Sequence, residues 1–191
     1  KTMTDTATLA PHRTRPVVVD RLGALIALIM AAAWVLLPFA TFKANRIVQG
    51  QGRIVFDALP GWEALLLCLV VAIALPIAFF RTSTLWRLLV GVVALAVLLV
   101  LVGQTAIFLT PPGNKLVRVS PGAGFWVLVF AFLLFIADAL TRLHLRPWLR
   151  IGALLLAALA LAALLLSGDL SGLSIMKEYF VRADAFWREA L

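Results

Sequence analysis

Few residues in this chain have the type and spacing to do chemistry. Asp138 is a carboxylate embedded in an apolar run, and an ionisable group in such a run is by default a candidate proton or cation site. Arg142 follows at i+4, the spacing that puts opposite charges on one helix face. A carboxylate near the end of a span also avoids the roughly 2.5 to 3.5 kcal/mol that an ionised residue costs at the bilayer centre. The structural ion pair is therefore the stronger reading of Asp138 and Arg142. Gln104 and Thr105 have the chemistry to hydrogen-bond between helices, a commoner use of such residues than a substrate site. His12 and His144 have no second ligand at metal spacing, and the lone cysteine, Cys68, permits no intrachain disulfide. The P-loop, G-x-S-x-G and H-E-x-x-H patterns are absent, and Gly50-Gln51-Gly52 is too short to cradle phosphate. These residues lead us to expect no enzyme, no cofactor and no metal.

The elements that must position these residues are long apolar stretches. The chain has 191 residues, of which 63% are hydrophobic and 14% charged, with mean hydropathy +1.06. A soluble core cannot use so much apolar surface. The net charge of +8 would suggest nucleic acid if it formed one basic face. It is instead split into short clusters between apolar runs, a pattern that suits lipid headgroups and gives no nucleic-acid partner.

Residues 1–21 read as a polar cytoplasmic tail. Spans are expected at about 22–42, 63–80, 85–109, 122–140 and 151–167, giving an all-α, polytopic membrane protein of about five transmembrane helices. The first is too long, and lacks the small-residue cleavage site, for a secretory signal. Pro38 lies in its last turn and Pro76 should kink the second span. Residues 43–61 form the longest interior loop, whose Ile54, Val55 and Phe56 could rest on the membrane surface, and residues 110–121 form a proline-bounded loop. Residues 168–191 read as an amphipathic helix, with Leu173, Met176, Phe180, Ala183, Trp187 and Ala190 in one stripe and Glu178, Arg182 and Glu189 opposite. Tryptophan prefers the membrane interface, and Trp62, Trp86, Trp126 and Trp148 each fall near the start of a span while Trp34 lies inside one.

Five spans put the termini on opposite sides. The compact loops at 81–87 and 141–150 carry Arg81, Arg87, Arg142, Arg146 and Arg150 and no acid, whereas Asp57, Glu63, Asp169, Glu178, Asp184 and Glu189 fall on the other side. The positive-inside rule then favours a cytoplasmic N-terminus and a periplasmic or extracellular C-terminus.

The segment Asn45-Arg46-Ile47-Val48-Gln49-Gly50-Gln51-Gly52-Arg53 resembles one found in permeases of osmoprotectant ABC importers, the glycine betaine, choline and proline betaine type. The resemblance is to a subgroup with an added membrane-spanning N-terminal region, and Pro38-Phe39, Gly122 to Trp126 (GAGFW) and Arg182 to Leu191 share it. It implies a multi-pass protein of the bacterial inner membrane whose partners are a permease core, an ABC ATPase and an external solute-binding protein. It further implies an accessory domain that supports the translocating core, with residues 168–191 as the lead-in to that core and no transport by the domain alone. Glu189-Ala190 differs from the coupling motif of such permeases, lying on the outer side without the downstream glycine. The aromatic residues Phe180, Phe186 and Trp187 suit lipid or helix contact better than a cage for a quaternary ammonium ion. A different class of function also fits the composition: a stand-alone small membrane scaffold or assembly subunit, which needs no polar pathway. A five-span ion-coupled carrier would require Asp138 to face a water-filled cavity.

Overall fold

A computed structural model describes residues 18–45, 47–111, 116–144 and 146–190. Most of the expected tail, together with Arg46 and Leu191, lies outside the described residues. The elements in chain order are α1 (Arg21–Leu36), β1 (Ala40–Lys43), β2 (Gln51–Arg53), α2 (Val55–Ala58), α3 (Gly61–Phe79), α4 (Thr84–Leu109), β3 (Arg118–Pro121), α5 (Ala123–Arg142), α6 (Pro147–Leu166) and α7 (Ser174–Ala190).

Four helices form a closed ring of contacts, with α1 against α3, α3 against α4, α4 against α5, and α5 back against α1. Each buries a stripe three and four residues apart: Gly23, Ile26, Ala27, Met30 and Ala33 on α1, Ala64, Leu67, Val71, Ala74 and Ala78 on α3. On α4 and α5 the stripe includes Gly91, Ala94, Leu98 and Phe125, Leu128, Phe132, Phe135. The many Gly and Ala positions let backbones approach, as helix pairs in lipid require. At Gly91 a Cβ would lie 2.9 Å from Ile136 Cγ1, so α5 packs where a larger residue on α4 would stand. The helices are apolar on their outward faces too, with Leu65, Leu69, Leu89, Val93, Phe130 and Leu133 exposed.

Among the described residues three helices, α3, α4 and α5, are long and apolar enough to cross a membrane, while α1, of 16 residues, and Leu155–Leu166 of α6 are shorter apolar stretches. The first expected span therefore ends early, at Leu36 rather than residue 42. Proline disfavours helical geometry in the residue before it, and Leu37, preceding Pro38, is extended at φ −113° and ψ 143°. The chain then enters a strand.

The expectation of an all-α chain is corrected by a small antiparallel sheet of order β2-β1-β3, in which β1 takes the end of the expected first span and β2 and β3 come from the two segments read as loops. Ala40 pairs with Arg53 and with Pro121, and Lys43 with Arg118. Three residues are too short a run for alternation to be legible, and the third strand joins from far along the chain. Val55 is also corrected: it is buried at 5% exposure in α2 rather than resting on the surface, although Ile54 and Phe56 are exposed.

The sheet marks one end of the bundle. Its other end is closed by the turn between α3 and α4, where Arg81 N–H donates to Val18 O (3.0 Å) and Asp20 N–H to Phe79 O (3.0 Å). Helix α6 leaves α5 at this second end and returns to the first, where Gly172, in the turn after α6, packs on Ala106 of α4. Between these points α6 stands apart, and its described side chains from Trp148 to Leu166 are exposed except the half-buried Leu164.

Candidate functional site

The end of the bundle opposite the sheet holds a ring of four charges drawn from three helices. Asp20 caps α1, its Oδ1 accepting from Gly23 N–H at 3.2 Å, which satisfies one of the orphan donors of a helix N-terminus. Arg87 lies in the first turn of α4, and Asp138 and Arg142 lie in the last turns of α5. Arg87 Nη2 donates to Asp138 Oδ2 at 2.9 Å and Arg142 Nε to Asp138 Oδ1 at 2.9 Å. Arg142 Nη1 stands 2.7 Å from Asp20 Oδ2, and Arg87 Nη1 3.5 Å from the same oxygen. The two contacts to Oδ2 are close ion pairs without hydrogen-bond alignment.

Arg87 is the centre of this ring. It is only 1% exposed, and its Nη1 also donates to the carbonyls of Ile77 (3.3 Å), Ala78 (3.3 Å) and Phe80 (3.4 Å) at the C-terminus of α3. Helix ends leave carbonyls without partners and carry partial negative charge. A guanidinium spreads several donors over a rigid plane and so serves carboxylates and carbonyls together. Its other face packs over the Phe135 ring, 5.0 Å from the centroid, a cation–π contact with α5. One side chain thereby touches the ends of all four bundle helices. Gly23 makes the meeting possible, since a Cβ there would collide with the Ala78 carbonyl and stand 3.1 Å from Arg87 Nη2.

Two positive and two negative charges leave the ring neutral. Each carboxylate faces two guanidinium groups. For Asp20, outside the helix itself, burial pushes the carboxyl up. The Arg142 guanidinium, the Gly23 N–H and the Arg87 charge outweigh burial and hold it below the usual carboxylate range. What this arrangement does chemically is fasten helix ends.

Asp138 and Arg142 were legible as a pair from their spacing, but Asp20 and Arg87 were not read as part of it. Signals existed for both. Asp20 stands directly before an apolar periodic run, the position of an N-cap, and Arg87 falls inside the third expected span, where an ionisable residue needs a partner.

The remaining residues singled out in the sequence lie at the sheet end or on α7. Asn45 Oδ1 accepts from Ile47 N–H (3.0 Å) and Val48 N–H (2.9 Å), an Asx turn that starts the return of the hairpin. Gly52 of β2 packs on Pro38, where a Cβ would lie 2.8 Å from Pro38 Cβ, and a Cβ at Gly50 would meet Thr41 Cγ2 at 2.5 Å. Arg53 accepts Phe39 N–H on its carbonyl (2.8 Å) and sets its guanidinium 5.9 Å from the Phe42 ring centroid. Gly122 N–H and Gly124 N–H donate to Phe39 O (2.8 Å) and Pro38 O (2.9 Å), and Phe125 meets Phe39 edge-on at 6.1 Å. Pro38-Phe39, the Gly50 to Arg53 segment and GAGFW, far apart in sequence, thus build one structure. Thr105, expected to bond between helices, instead donates to Val102 O of its own helix at 2.6 Å.

The amphipathic stripe is brought together only at its start. Leu173, which precedes α7, is buried and Met176 half-buried, whereas Phe180 and Trp187 are 60% and 52% exposed. Glu178, expected opposite the stripe, faces the sheet, with its Oε1 3.0 Å from Arg118 Nη1. Residues 184–186 lie in α7, but their side chains are outside the described ones.

Residues 20–176 match the family of the ABC transporter permease YehY, N-terminal domain. The chain belongs to this family. The matched segment begins at Asp20, the first residue of the charged ring, and closes in the first turn of α7, so it contains the whole bundle, the sheet and α6. Membership in the YehY N-terminal domain family assigns the chain to a permease of an ABC transporter and to a role in membrane transport. No curated protein and no solved structure is matched.

Proposed function

We propose that the chain is an accessory membrane-embedded domain of an ABC importer permease for compatible solutes of the quaternary ammonium type, and that it supports the translocating core. The observation that carries the reading is the YehY-family match across residues 20–176. The bundle geometry agrees with a supporting role, because the buried polar side chains at its charged end are spent on tying helix ends together. Solute specificity rests on the resemblance carried by Asn45 to Arg53, Pro38-Phe39, Gly122 to Trp126 and Arg182 to Leu191.

In this reading the chain crosses the inner membrane five times, through α1, α3, α4, α5 and α6, with the charged end in the cytoplasm and the sheet end outside. Support comes from α6, which starts at the charged end and delivers the chain to the sheet end, and from the outward aromatic residues. Trp62, Trp86, Trp126 and Trp148 are 67%, 60%, 53% and 63% exposed, each in the first turn of its helix, where a headgroup-level anchor belongs. The sheet end would meet the external solute-binding protein, while the ABC ATPase would act on the core. The domain carries no catalysis in this scheme.

The test is uptake of labelled glycine betaine by cells that retain the ATPase and the solute-binding protein. Deleting residues 20–176 from the permease should lower uptake at least several-fold while the ATPase remains expressed. Unchanged uptake would refute the supporting role, and uptake of an unrelated solute class would refute the specificity.

A further inference from the structure

The sheet places two cations where a sheet usually avoids them. Lys43 and Arg118 are directly opposite in the β1–β3 ladder, so their side chains leave the same face, where like charges repel. Glu178 Oε1 stands 3.0 Å from Arg118 Nη1. Arg182, one turn further along α7, borders the same open cavity of about 360 Å³, together with Ser120 and Ser174. Among the described residues the cavity wall therefore carries three cations and one carboxylate. Ser174 Oγ donates to Val119 O at 2.9 Å and pins the start of α7 against β3.

A local repulsion kept beside an under-neutralised cavity marks a site for an anion. Its depth says which anion. The cavity lies at the sheet end, level with the first turns of α3 and α5, where Trp62 and Trp126 point outward as interfacial tryptophans do. Exposed Ile175, Tyr179 and Phe180 on α7 continue the site with apolar surface suited to the glycerol and upper acyl region. We propose that this cavity binds the phosphate oxyanion of an anionic phospholipid headgroup, with Lys43 and Arg182 as its principal ligands. The inference needs only the membrane placement and stands apart from the ABC role.

The test uses the detergent-purified protein, titrated with phosphatidylglycerol, phosphatidylcholine or inorganic phosphate and followed by tryptophan fluorescence. The wild type should bind phosphatidylglycerol in clear preference to phosphatidylcholine. Lys43→Gln with Arg182→Gln should weaken that binding about thirtyfold, roughly fivefold per interfacial cation, while Lys43→Arg with Arg182→Lys keeps it. Should the double variant not fold, Arg182→Gln alone, at an exposed position, should show the fivefold loss. Equal affinity in wild type and variant would overturn the site. A response to inorganic phosphate matching that to phosphatidylglycerol would overturn the lipid as its source.

Discussion

Arg87 shows why a single buried charge can govern a bundle of oily helices. Its guanidinium is removed from water, yet two carboxylates, three carbonyls and an aromatic face surround it. Breaking a buried ion pair by removing one partner costs about 3–5 kcal/mol, because the other charge is left uncompensated. Arg87→Met should therefore destabilise the folded protein by about that much, read as a lower thermal midpoint in detergent. Arg87→Lys should recover only part of the loss, since an ammonium cannot reach all these acceptors in one plane. If Arg87→Met leaves the midpoint unchanged, the ring is not what holds these helix ends. Asp20 adds a pH dependence with a defined sign. Its folded pKa is depressed, so its contribution is complete above the unfolded value of about 3.9 and is lost as pH falls through the lower folded value. Thermal midpoints measured down the acid range should fall in wild type, and Asp20→Asn should flatten that fall. Only the Asp138–Arg142 part of this cluster could be seen in advance, because i,i+4 spacing is local. Its closure with Asp20 and Arg87 spans residues 20 to 142 and depends on which helices become neighbours, a matter that helices apolar all round do not disclose.

At the scale of elements, hydropathy located the helices well and their ends less well. The helices α3, α4 and α5 begin and end within about two residues of the expected spans at 63–80, 85–109 and 122–140, because burying backbone in lipid demands long unbroken helices. Helix α1 stopped short because Pro38 acts on the residue before it. The sheet escaped notice because its strands are three or four residues long, and β3 pairs with β1 from some 75 positions away. Helix α6 is the element on which a five-pass reading turns, since its described side chains from Trp148 to Leu166 are exposed except the half-buried Leu164. With Cys68→Ala as background, single substitutions Val48→Cys, His144→Cys and Asp169→Cys place one exposed thiol on each relevant turn. In sealed right-side-out vesicles an impermeant maleimide should label positions 48 and 169 and reach 144 only after permeabilisation. Labelling of 169 together with 144, and not with 48, would show that α6 does not cross.

At the scale of the whole molecule, the chain is a four-helix bundle with a charge ring at one end, a three-stranded cap at the other and two helices, α6 and α7, that extend from it. Helix α6 and the outer half of α7 leave Leu155, Leu156, Leu159, Phe180, Val181 and Trp187 uncovered by this chain. An accessory domain that leans on a permease core would use such surface, and so would a scaffold that leans on an unrelated complex. The two roles differ in what is bound. The most direct measurement is purification of the protein from native membranes under mild detergent, followed by mass-spectrometric identification of what accompanies it. Our account predicts an ABC ATPase at a fixed stoichiometry, with an external solute-binding protein retained when glycine betaine is present. Recovery of a membrane complex containing no ABC ATPase would contradict it.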